Sequence, residues 1–466
     1  MVSEESTPRQ GIKISFGKKV SWGIASFGLS VISGIYGALL PIFYTDYLGL
    51  AEESSIILLV SLLYAIWNAV NDPLFGFLSD STKSKRGRRI PYMRFTAPFL
   101  AITFALVWWG DPAWGDTAKF WWMLITMLLY DTAYTIIGLV YSALLPEITE
   151  DDGQRNHLQL SSSFFSLLGM ILGFLLPDFF RHDLTLLRYA MIIVGIVGAA
   201  FIMFTTYKFK ERAEFTKVDK PLGLWPSLKH TFSRKSFIIL VLANFGSIFM
   251  QSIVVGSVYY LADYIVGVST IVLLVYLFIP LLVGIWLTPF LQKWLGVVLA
   301  DQILLVIGGI GLMAIYFLPA NLIFIGLICA GFGLVGPLIF TNIMFAQITD
   351  EDELKSGVRR EAAFFGVNAL ITKPAQSLAL WIPAFLLGLN HFVPRNAITG
   401  ELYPFQPQAA LTAMRLFIGL LPGIALLVEA AILSFYPLRG KHLKDIQKRV
   451  LILHDEKHKK LKEMGL

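Results

Sequence analysis

The feature that most constrains this chain is a series of apolar stretches, each long enough to cross a bilayer, that recurs from one end to the other. A membrane-spanning α-helix needs about 20 mostly apolar residues. The runs are continuously apolar rather than alternating, which argues against a β-barrel. We predict an all-α membrane protein with twelve spans, numbered 1 to 12, near residues 20–46, 54–79, 91–110, 119–145, 158–178, 186–207, 236–264, 269–291, 297–317, 321–347, 362–388 and 410–437.

Composition excludes the main alternatives. Of 466 residues, 56% are hydrophobic and 15% are charged, whereas soluble proteins carry about 25% charged residues. A water-soluble multidomain enzyme and a disordered chain are therefore excluded. The sequence contains no HExxH, GxxxxGK[ST] or GxSxG motif, and its single cysteine forbids an intrachain disulfide. We expect no enzymatic activity, no cofactor, no metal beyond a monovalent cation, and no ATP-driven pumping.

Lysine and arginine are concentrated in alternate loops. They lie before span 1, in the loop 83–89, in the loop 208–235 and after residue 438, while the opposite loops hold few. This bias predicts that both termini are cytoplasmic, in a multi-pass protein of the plasma membrane. It also accounts for the net charge of +6 without a nucleic-acid partner.

An internal repeat predicts two halves. Ile148–Glu150 follows span 4 and Ile348–Asp350 follows span 10, six spans later, and each is followed by a Phe-Phe pair. Duplication explains this matched placement better than chance. We predict an N-terminal bundle at 1–207, a cytoplasmic linker at 208–235, a C-terminal bundle at 236–437 and a basic amphipathic tail at 438–466, which is a transporter architecture.

Ionisable residues within spans are the strongest functional signal, because a charge costs roughly 2.5–3.5 kcal/mol at the centre of a spanning helix. Asp72 lies in span 2, one helical turn after Asn68, and Pro73 frees the carbonyl of Ala69. These oxygens suit a monovalent cation or a proton. The alternative is an Asp with a purely structural pairing.

Span 4 carries a polar stripe at helical spacing, formed by Asp131, Tyr134, Thr135 and Gly138. Such a stripe faces the bundle interior or an aqueous cavity. Thr135 offers a hydroxyl to the same cation. Asp131 is open to two interpretations: it joins the cation site, or it lies near the outer surface in water.

Lys373, followed by Pro374, lies deep in span 11. Its natural partner is Asp72, in which case the pair is a switch: an arriving cation displaces the ammonium group, or a proton on Asp72 releases it. The alternative is a lysine that lines an aqueous cavity without coupling. Glu429 in span 12 is a further isolated carboxylate, for which we expect only a polar packing contact.

The cytoplasmic loops suggest a gate. Asp80 ends span 2 beside the basic cluster that includes Arg88, and the acidic loops after spans 4 and 10 carry Arg155 and Arg359. Pairs of this kind can latch two helix bundles together and open during transport. The basic cluster alone is explained by topology.

Several segments resemble the glycoside–pentoside–hexuronide:cation symporters, the melibiose permease branch of the major facilitator superfamily. The resemblance covers nearly the whole chain and rests on Phe43–Asp46, Asn71–Gly76, Lys85–Pro91, Tyr134–Thr135, Pro146–Thr149, Asp352–Leu354, Lys373 and Phe435–Gly440. It implies two six-helix bundles, alternating access and a central site near the midplane. It also implies a cation site that contains Asp72 and Thr135.

The sequence departs from that family at two places. One of the family's two cation-binding carboxylates falls on Asn68. The loss of one negative charge weakens a sodium site and favours a proton as the coupling ion, unless Asp131 restores the charge. The family's sugar-holding acids fall on Ser30 and Gly138, and its sugar-holding arginine falls near Ser163. With Tyr134 and Tyr141, these residues would border a more neutral solute cavity, in which a tyrosine ring could stack on a sugar.

The sequence therefore favours a cation-coupled secondary symporter of a small solute, with a sugar or glycoside favoured by the resemblance alone. Na⁺ or H⁺ would be co-transported, and we expect a monomer in the bilayer. The first alternative is a sodium- or proton-coupled symporter of an amphiphile such as a lysolipid. A weaker alternative is a membrane sensor or scaffold that transports nothing.

Overall fold

A computed structural model describes residues 14–50, 53–81, 89–148, 152–209, 234–356, 361–395, 402–403 and 405–463. These residues are almost entirely helical and contain no β-strand. Within these described ranges, twelve helices are long and apolar enough to cross a membrane, so the predicted number of spans is confirmed.

The first six spans are single long helices, of which the first ends in a π-helical turn at Phe43–Tyr47. Span 6 begins at Asp183, whose side chain accepts hydrogen bonds from the backbone N–H groups of Thr185 and Leu186 and so caps the helix. The helical bounds are Phe16–Ile42, Ser54–Ser81, Ile90–Val107, Asp116–Ile148, Asp152–Phe180 and Leu184–Lys208.

The last six spans contain more breaks. Spans 7, 8 and 9 are Lys235–Tyr260 with a π-helical turn at Leu261–Val266, Thr270–Leu295 and Val297–Phe317. Span 10 consists of Ile323–Gly333 and Val335–Ser356, span 11 is Glu361–Leu389, and span 12 consists of Gln408–Arg415, a π-helical turn at Leu416–Leu420 and Leu421–Leu433. A further helix, Gly440–Glu463, forms the tail.

Spans 1 and 7 finish in the same way, with an α-helix that widens into a π-helical turn. In span 1 the change follows Pro41, whose carbonyl accepts a hydrogen bond from the Thr45 hydroxyl at 2.9 Å. The π-helical turns carry the dipeptides Asp46-Tyr47 and Asp263-Tyr264. Equivalent positions six spans apart thus share both geometry and sequence, which extends the internal repeat.

Small residues set the spacing of neighbouring spans. A Cβ added at Gly173 of span 5 would lie 2.7 Å from the carbonyl oxygen of Val31 in span 1, so only glycine fits at this crossing. Large apolar side chains such as Ile66 and Ile193 are exposed, as expected where lipid is the solvent.

The chain divides into two compact units. One contains residues 1–36 and 70–220, and the other contains residues 37–69 and 221–466. The end of span 1 and the first part of span 2 thus pack with the second unit. The predicted linker lies almost wholly within residues 210–233, outside the described residues, so the predicted domain boundaries stay a prediction.

Candidate cation and solute sites

Asp72 and Thr135 meet between spans 2 and 4 of the first unit. The Thr135 hydroxyl donates a hydrogen bond to Oδ1 of Asp72 across 3.4 Å. Thr135 is buried and Asp72 is partly buried. Two residues that the sequence assigns to one cation site therefore lie together, on different helices.

A second pair lies beside the first. The Asn71 amide donates a hydrogen bond to Oδ2 of Asp131 at 2.8 Å. Asn71 is 0% exposed and Asp131 is 6% exposed, so Asp131 is not a water-solvated residue at the end of its span. The side-chain carbonyl oxygen of Asn71 has no hydrogen-bond partner among the described residues.

Together the two pairs supply oxygens of the kind that bind hard cations. Asp72 and Asp131 contribute carboxylates, Thr135 contributes a hydroxyl, and Asn71 contributes an unpartnered carbonyl oxygen. Carboxylate and carbonyl oxygens are the preferred ligands of hard metal ions. A buried carbonyl without a partner carries a desolvation cost that a bound cation would remove.

Lys373 is joined to span 2 within the second unit. Its ammonium group donates hydrogen bonds to the backbone carbonyl of Asn68 at 2.9 Å and to the Asn68 side-chain oxygen at 2.5 Å. Asn68 is 3% exposed and lies one helical turn before Asp72 along span 2. Asn68 thus binds the predicted coupling lysine, while the pairing of Lys373 with Asp72 stays a prediction.

The predicted solute residues lie in different surroundings within the first unit. Beside Gly138 the structure is open, since an added Cβ would have no atom within 4 Å. Ser30 is hydrogen-bonded to Ser166 of span 5 at 2.6 Å, and Ser163 is exposed. Tyr134, one turn before Gly138, is partly buried.

Tyr141 is held in a network that leaves little of it accessible. Its hydroxyl donates to the Trp22 carbonyl at 2.8 Å and accepts from Ser26 at 2.8 Å, and its ring stacks on Trp22 at 4.2 Å. Ser26 and Ser162 are in turn hydrogen-bonded at 2.5 Å. Tyr141 therefore ties spans 1, 4 and 5 together in this conformation.

The four residues of the predicted cytoplasmic gate lie outside the part of the chain whose side chains are described. Arg88 and Arg359 lie outside the described residues, as do the side chains of Asp80 and Arg155. At the start of span 7, Arg234 forms an ion pair with buried Asp352 at 2.9 Å, so one acid of the repeated loop is already paired within the second unit.

A buried ionic cluster joins the ends of spans 1 and 7 in the second unit. Arg395, in the segment between spans 11 and 12, binds Asp46 through Nε at 2.8 Å and Asp263 through a terminal nitrogen at 3.1 Å. Its backbone N–H donates to Asp46 at 2.6 Å, the Tyr264 hydroxyl donates to Asp46 at 2.7 Å, and its guanidinium lies 4.0 Å above the Tyr47 ring. We call these five residues the Asp46–Arg395 cluster.

Charge balance holds this cluster together despite its burial. Burial alone would lower the pKa of Arg395, but the Asp46 carboxylate, Tyr47, Tyr264 and Asp263 outweigh burial and raise that pKa above its ordinary value. Arg395 is 3% exposed and Asp46 is 1% exposed. The guanidinium is therefore charged and paired.

The sequence interpretation missed Asn71, Asp263 and Arg395. Asn71 is uncharged, so it gives no charge signal within its span. Asp263 falls within predicted span 7 and Arg395 falls in the predicted loop between spans 11 and 12, and neither is assigned a role from the sequence. The repeated dipeptides Asp46-Tyr47 and Asp263-Tyr264 could have identified the cluster, because they occupy equivalent positions in spans 1 and 7.

Comparison with known proteins gives one family across the chain. A family model described as MFS/sugar transport protein matches residues 21–440. The matched region contains every described residue of the sites above.

Two curated relatives and one solved structure illustrate the range of similar proteins. The isoprimeverose transporter of Lactiplantibacillus pentosus is 23% identical, with 94% of this chain and 92% of that protein covered. The sodium-dependent lysophosphatidylcholine symporter 1 of Xenopus tropicalis is 22% identical, with coverages of 95% and 91%. The crystal structure of a bacterial homologue of the human lysosomal transporter Spinster superimposes with a TM-score of 0.69 at 12% identity, covering 91% of this chain and 98% of that one.

Proposed function

From the premise that this chain belongs to the MFS/sugar transport protein family, we propose that it is a cation-coupled symporter that moves a sugar or glycoside by alternating access. It is a multi-pass membrane protein with twelve spans. Its family and its fold are those of membrane transporters rather than enzymes.

The observation that carries this proposal is the pair of contacts between spans 2 and 4. Asp72, Asp131, Thr135 and Asn71 place two carboxylates and two neutral oxygen groups at one interface. Asp131 supplies a second carboxylate beside Asp72 and so replaces the negative charge that is missing at Asn68. We therefore propose Na⁺ as the coupling ion, with H⁺ as the competing outcome of the tests below.

Lys373 is proposed to couple the ion to the conformational change. Its ammonium group is bound to Asn68, one turn from Asp72 on the same helix. A cation that binds near Asp72 reduces the attraction between span 2 and the lysine, because like charges repel. Span 11 would then be released from span 2 when the ion binds.

The Asp46–Arg395 cluster is proposed as a gate at the end of the second unit where spans 1 and 7 finish. The loop charges predict that this end faces outwards and that both termini face the cytoplasm. Alternating access needs contacts that form in one state and break in another. A buried ionic cluster suits that role, since water solvates its charges once the contacts open.

A sugar is the favoured solute because of the family, and the proposed site includes Gly138, where an added Cβ would meet no atom within 4 Å. Of the residues proposed to border the solute, Ser30 and Gly138 carry no charge, and Ser30 is hydrogen-bonded to Ser166. A neutral lining also suits the competing solute, an amphiphile of the kind named in the lysophosphatidylcholine symporter.

Thermal stabilisation of the purified protein tests this proposal. A bound solute raises the unfolding temperature, because at 100 times its Kd it adds about 2.7 kcal/mol to the free energy of unfolding. A panel of monosaccharides and glycosides is compared with lysophosphatidylcholine, each with Na⁺ or with choline as the replacement cation. Stabilisation by a sugar that requires Na⁺ supports the proposal. Stabilisation by the lysolipid alone would support the alternative that the protein transports an amphiphile. If Na⁺ did not change the stabilisation, the result would contradict sodium coupling.

A further inference from the structure

Two carboxyl groups that the proposed cation site does not use lie inside the second unit. Asp301 of span 9 is 0% exposed and Glu429 of span 12 is 2% exposed. The adjacent residues join the two helices, because the Gln302 amide donates to the Ala430 carbonyl at 2.7 Å. Both carboxyl groups therefore lie on the turns at which spans 9 and 12 pack together.

A single hydroxyl group contacts both carboxyl oxygens of Glu429. Oγ of Ser247 in span 7 lies 2.6 Å from both Oε1 and Oε2 of Glu429. Ser247 shares its single hydrogen between the two oxygens, which is weak compensation for a buried negative charge. A neutral carboxyl group fits the same contacts: Ser247 would donate to the carbonyl oxygen, and the carboxyl O–H would donate back to Oγ.

Asp301 has fewer contacts than Glu429 that could stabilise a negative charge. Neither of its carboxyl oxygens has a hydrogen-bond partner among the described residues. Oδ1 lies against the backbone of span 10 at Gly336, where an added Cβ would overlap it. The carboxyl group therefore occupies a space that exists only because residue 336 is glycine.

Among the described residues of the surrounding spans, the basic side chains lie at helix ends and have other surroundings: Lys235 of span 7 is exposed, Lys355 of span 10 pairs with Glu351, and Arg415 of span 12 donates to the Leu318 carbonyl. Span 12 presents Glu429, span 7 presents Ser247, and span 10 presents Gly336. On span 8 the basic residue is Lys293, which is exposed in the last turn. Within the described residues, neither Asp301 nor Glu429 takes part in an ion pair. Two ionised carboxylates in such surroundings would be very costly, and buried groups of this kind bind protons instead.

We infer that Asp301 and Glu429 form a proton-binding site in the second unit, distinct from the cation site at Asp72. The ligand is H⁺, and at least one of the two carboxyl groups is neutral at neutral pH. Since both groups lie on the turns where spans 9 and 12 pack together, we expect their protons to be released in steps that belong to the pair rather than to either residue. Nothing in the proposed sodium coupling requires this second site.

Infrared spectroscopy of the full-length protein in nanodiscs tests the assignment. The wild-type protein should show the C=O stretch of a protonated carboxyl group at neutral pH, shifted in D₂O. Asp301→Asn and Glu429→Gln preserve the shape of the side chain. At least one of them should reduce the intensity of this band by the contribution of one carboxyl group. Asp445→Asn, in the exposed part of the tail helix, is the matched control and should leave the band unchanged.

A second measurement is the pH dependence of thermal stability. In the unfolded chain both acids ionise near pH 4, at about their ordinary values. The folded protein retains protons that the unfolded chain releases, so this contribution to stability is present at low pH and is lost as the pH rises. Wild type should lose unfolding temperature with rising pH more steeply than the Asp301→Asn, Glu429→Gln double variant.

Three results would overturn the inference. One is a wild-type spectrum without a protonated carboxyl band at neutral pH. This test uses the wild-type protein alone, so it does not depend on the folding of any variant. Another is a band that persists in both single variants and in the double variant. The third is loss of the wild-type band on addition of Na⁺, which would make the site a sodium site. Failure of sodium-dependent uptake would overturn the proposed function but would leave these spectra unaffected.

Discussion

The Thr135 hydroxyl donates to Oδ1 of Asp72 across 3.4 Å, between spans 2 and 4. This hydrogen bond joins the carboxylate of Asp72, which is costly to place within span 2, to the polar stripe of span 4 that contains Thr135. Beside it, Asn71 binds Asp131, so the two helices share a continuous polar interface. A cation that binds there would take its ligands from both helices and would stabilise their contact.

Asp131→Asn should weaken Na⁺ binding by about tenfold to a hundredfold. The substitution keeps an oxygen for the hydrogen bond from Asn71 but removes the charge, and a hydrogen bond or ligand contact to a charged group contributes roughly 1.5–3 kcal/mol. The measurement is a Na⁺ titration of thermal stability. Asp116→Asn, exposed in the first turn of the same span, is the control. Equal Na⁺ affinity in the two variants would exclude Asp131 from the site.

Lys373→Ala should change the cation dependence of uptake more than it changes expression. Removing the ammonium group frees Asn68 and span 2 from their contact with span 11. We therefore expect the Na⁺ activation curve of solute uptake to shift and flatten. Lys293→Ala removes an exposed lysine of span 8 and serves as the control. An unchanged activation curve in Lys373→Ala would count against coupling through this residue.

Arg395→Gln should destabilise the protein by about 3–5 kcal/mol, since it leaves the buried carboxylates of Asp46 and Asp263 without their cation. Asp46→Asn should destabilise it less, because Arg395 keeps its ion pair with Asp263. The double variant should lose less than the sum of the two, and the difference measures their coupling. The exposed pair Asp445 and Arg449, 3.9 Å apart in the tail, should show coupling of at most about 1 kcal/mol. Additive effects of the Asp46 and Arg395 substitutions would contradict the proposed gate.

Gly138→Leu should reduce solute uptake at least about tenfold, which corresponds to roughly 1.4 kcal/mol, while the unfolding temperature stays near the wild-type value. The reason is that the added side chain enters open space beside span 4. Gly173→Leu is the contrasting variant, because its side chain would collide with span 1 and should lower the unfolding temperature. Normal transport by Gly138→Leu would show that this space does not hold the solute.

The number and placement of the spans could be predicted from the sequence because a bilayer imposes a fixed apolar length. Span 9 was predicted at 297–317 and is observed at Val297–Phe317. Asp72 could be predicted as a site residue for a related reason, since a charge within a span is costly enough to demand a role.

Contacts between distant residues could not be predicted in the same way. Arg395 and Asp46 are 349 residues apart, and only the packing of spans 1 and 7 brings them together. Asn71 is an uncharged amide whose importance depends on which residue of span 4 faces it. Hydropathy and charge patterns contain no information on such pairings, which depend on how the helices pack.

Concentrative uptake by Asp72→Asn in proteoliposomes tests the central claim most directly. A solute identified by thermal stabilisation is supplied outside, with an imposed inward Na⁺ gradient. The account predicts that wild type accumulates the solute above its outside concentration, whereas Asp72→Asn, inserted at the same level, only equilibrates it. Accumulation by Asp72→Asn equal to that of wild type would contradict the account.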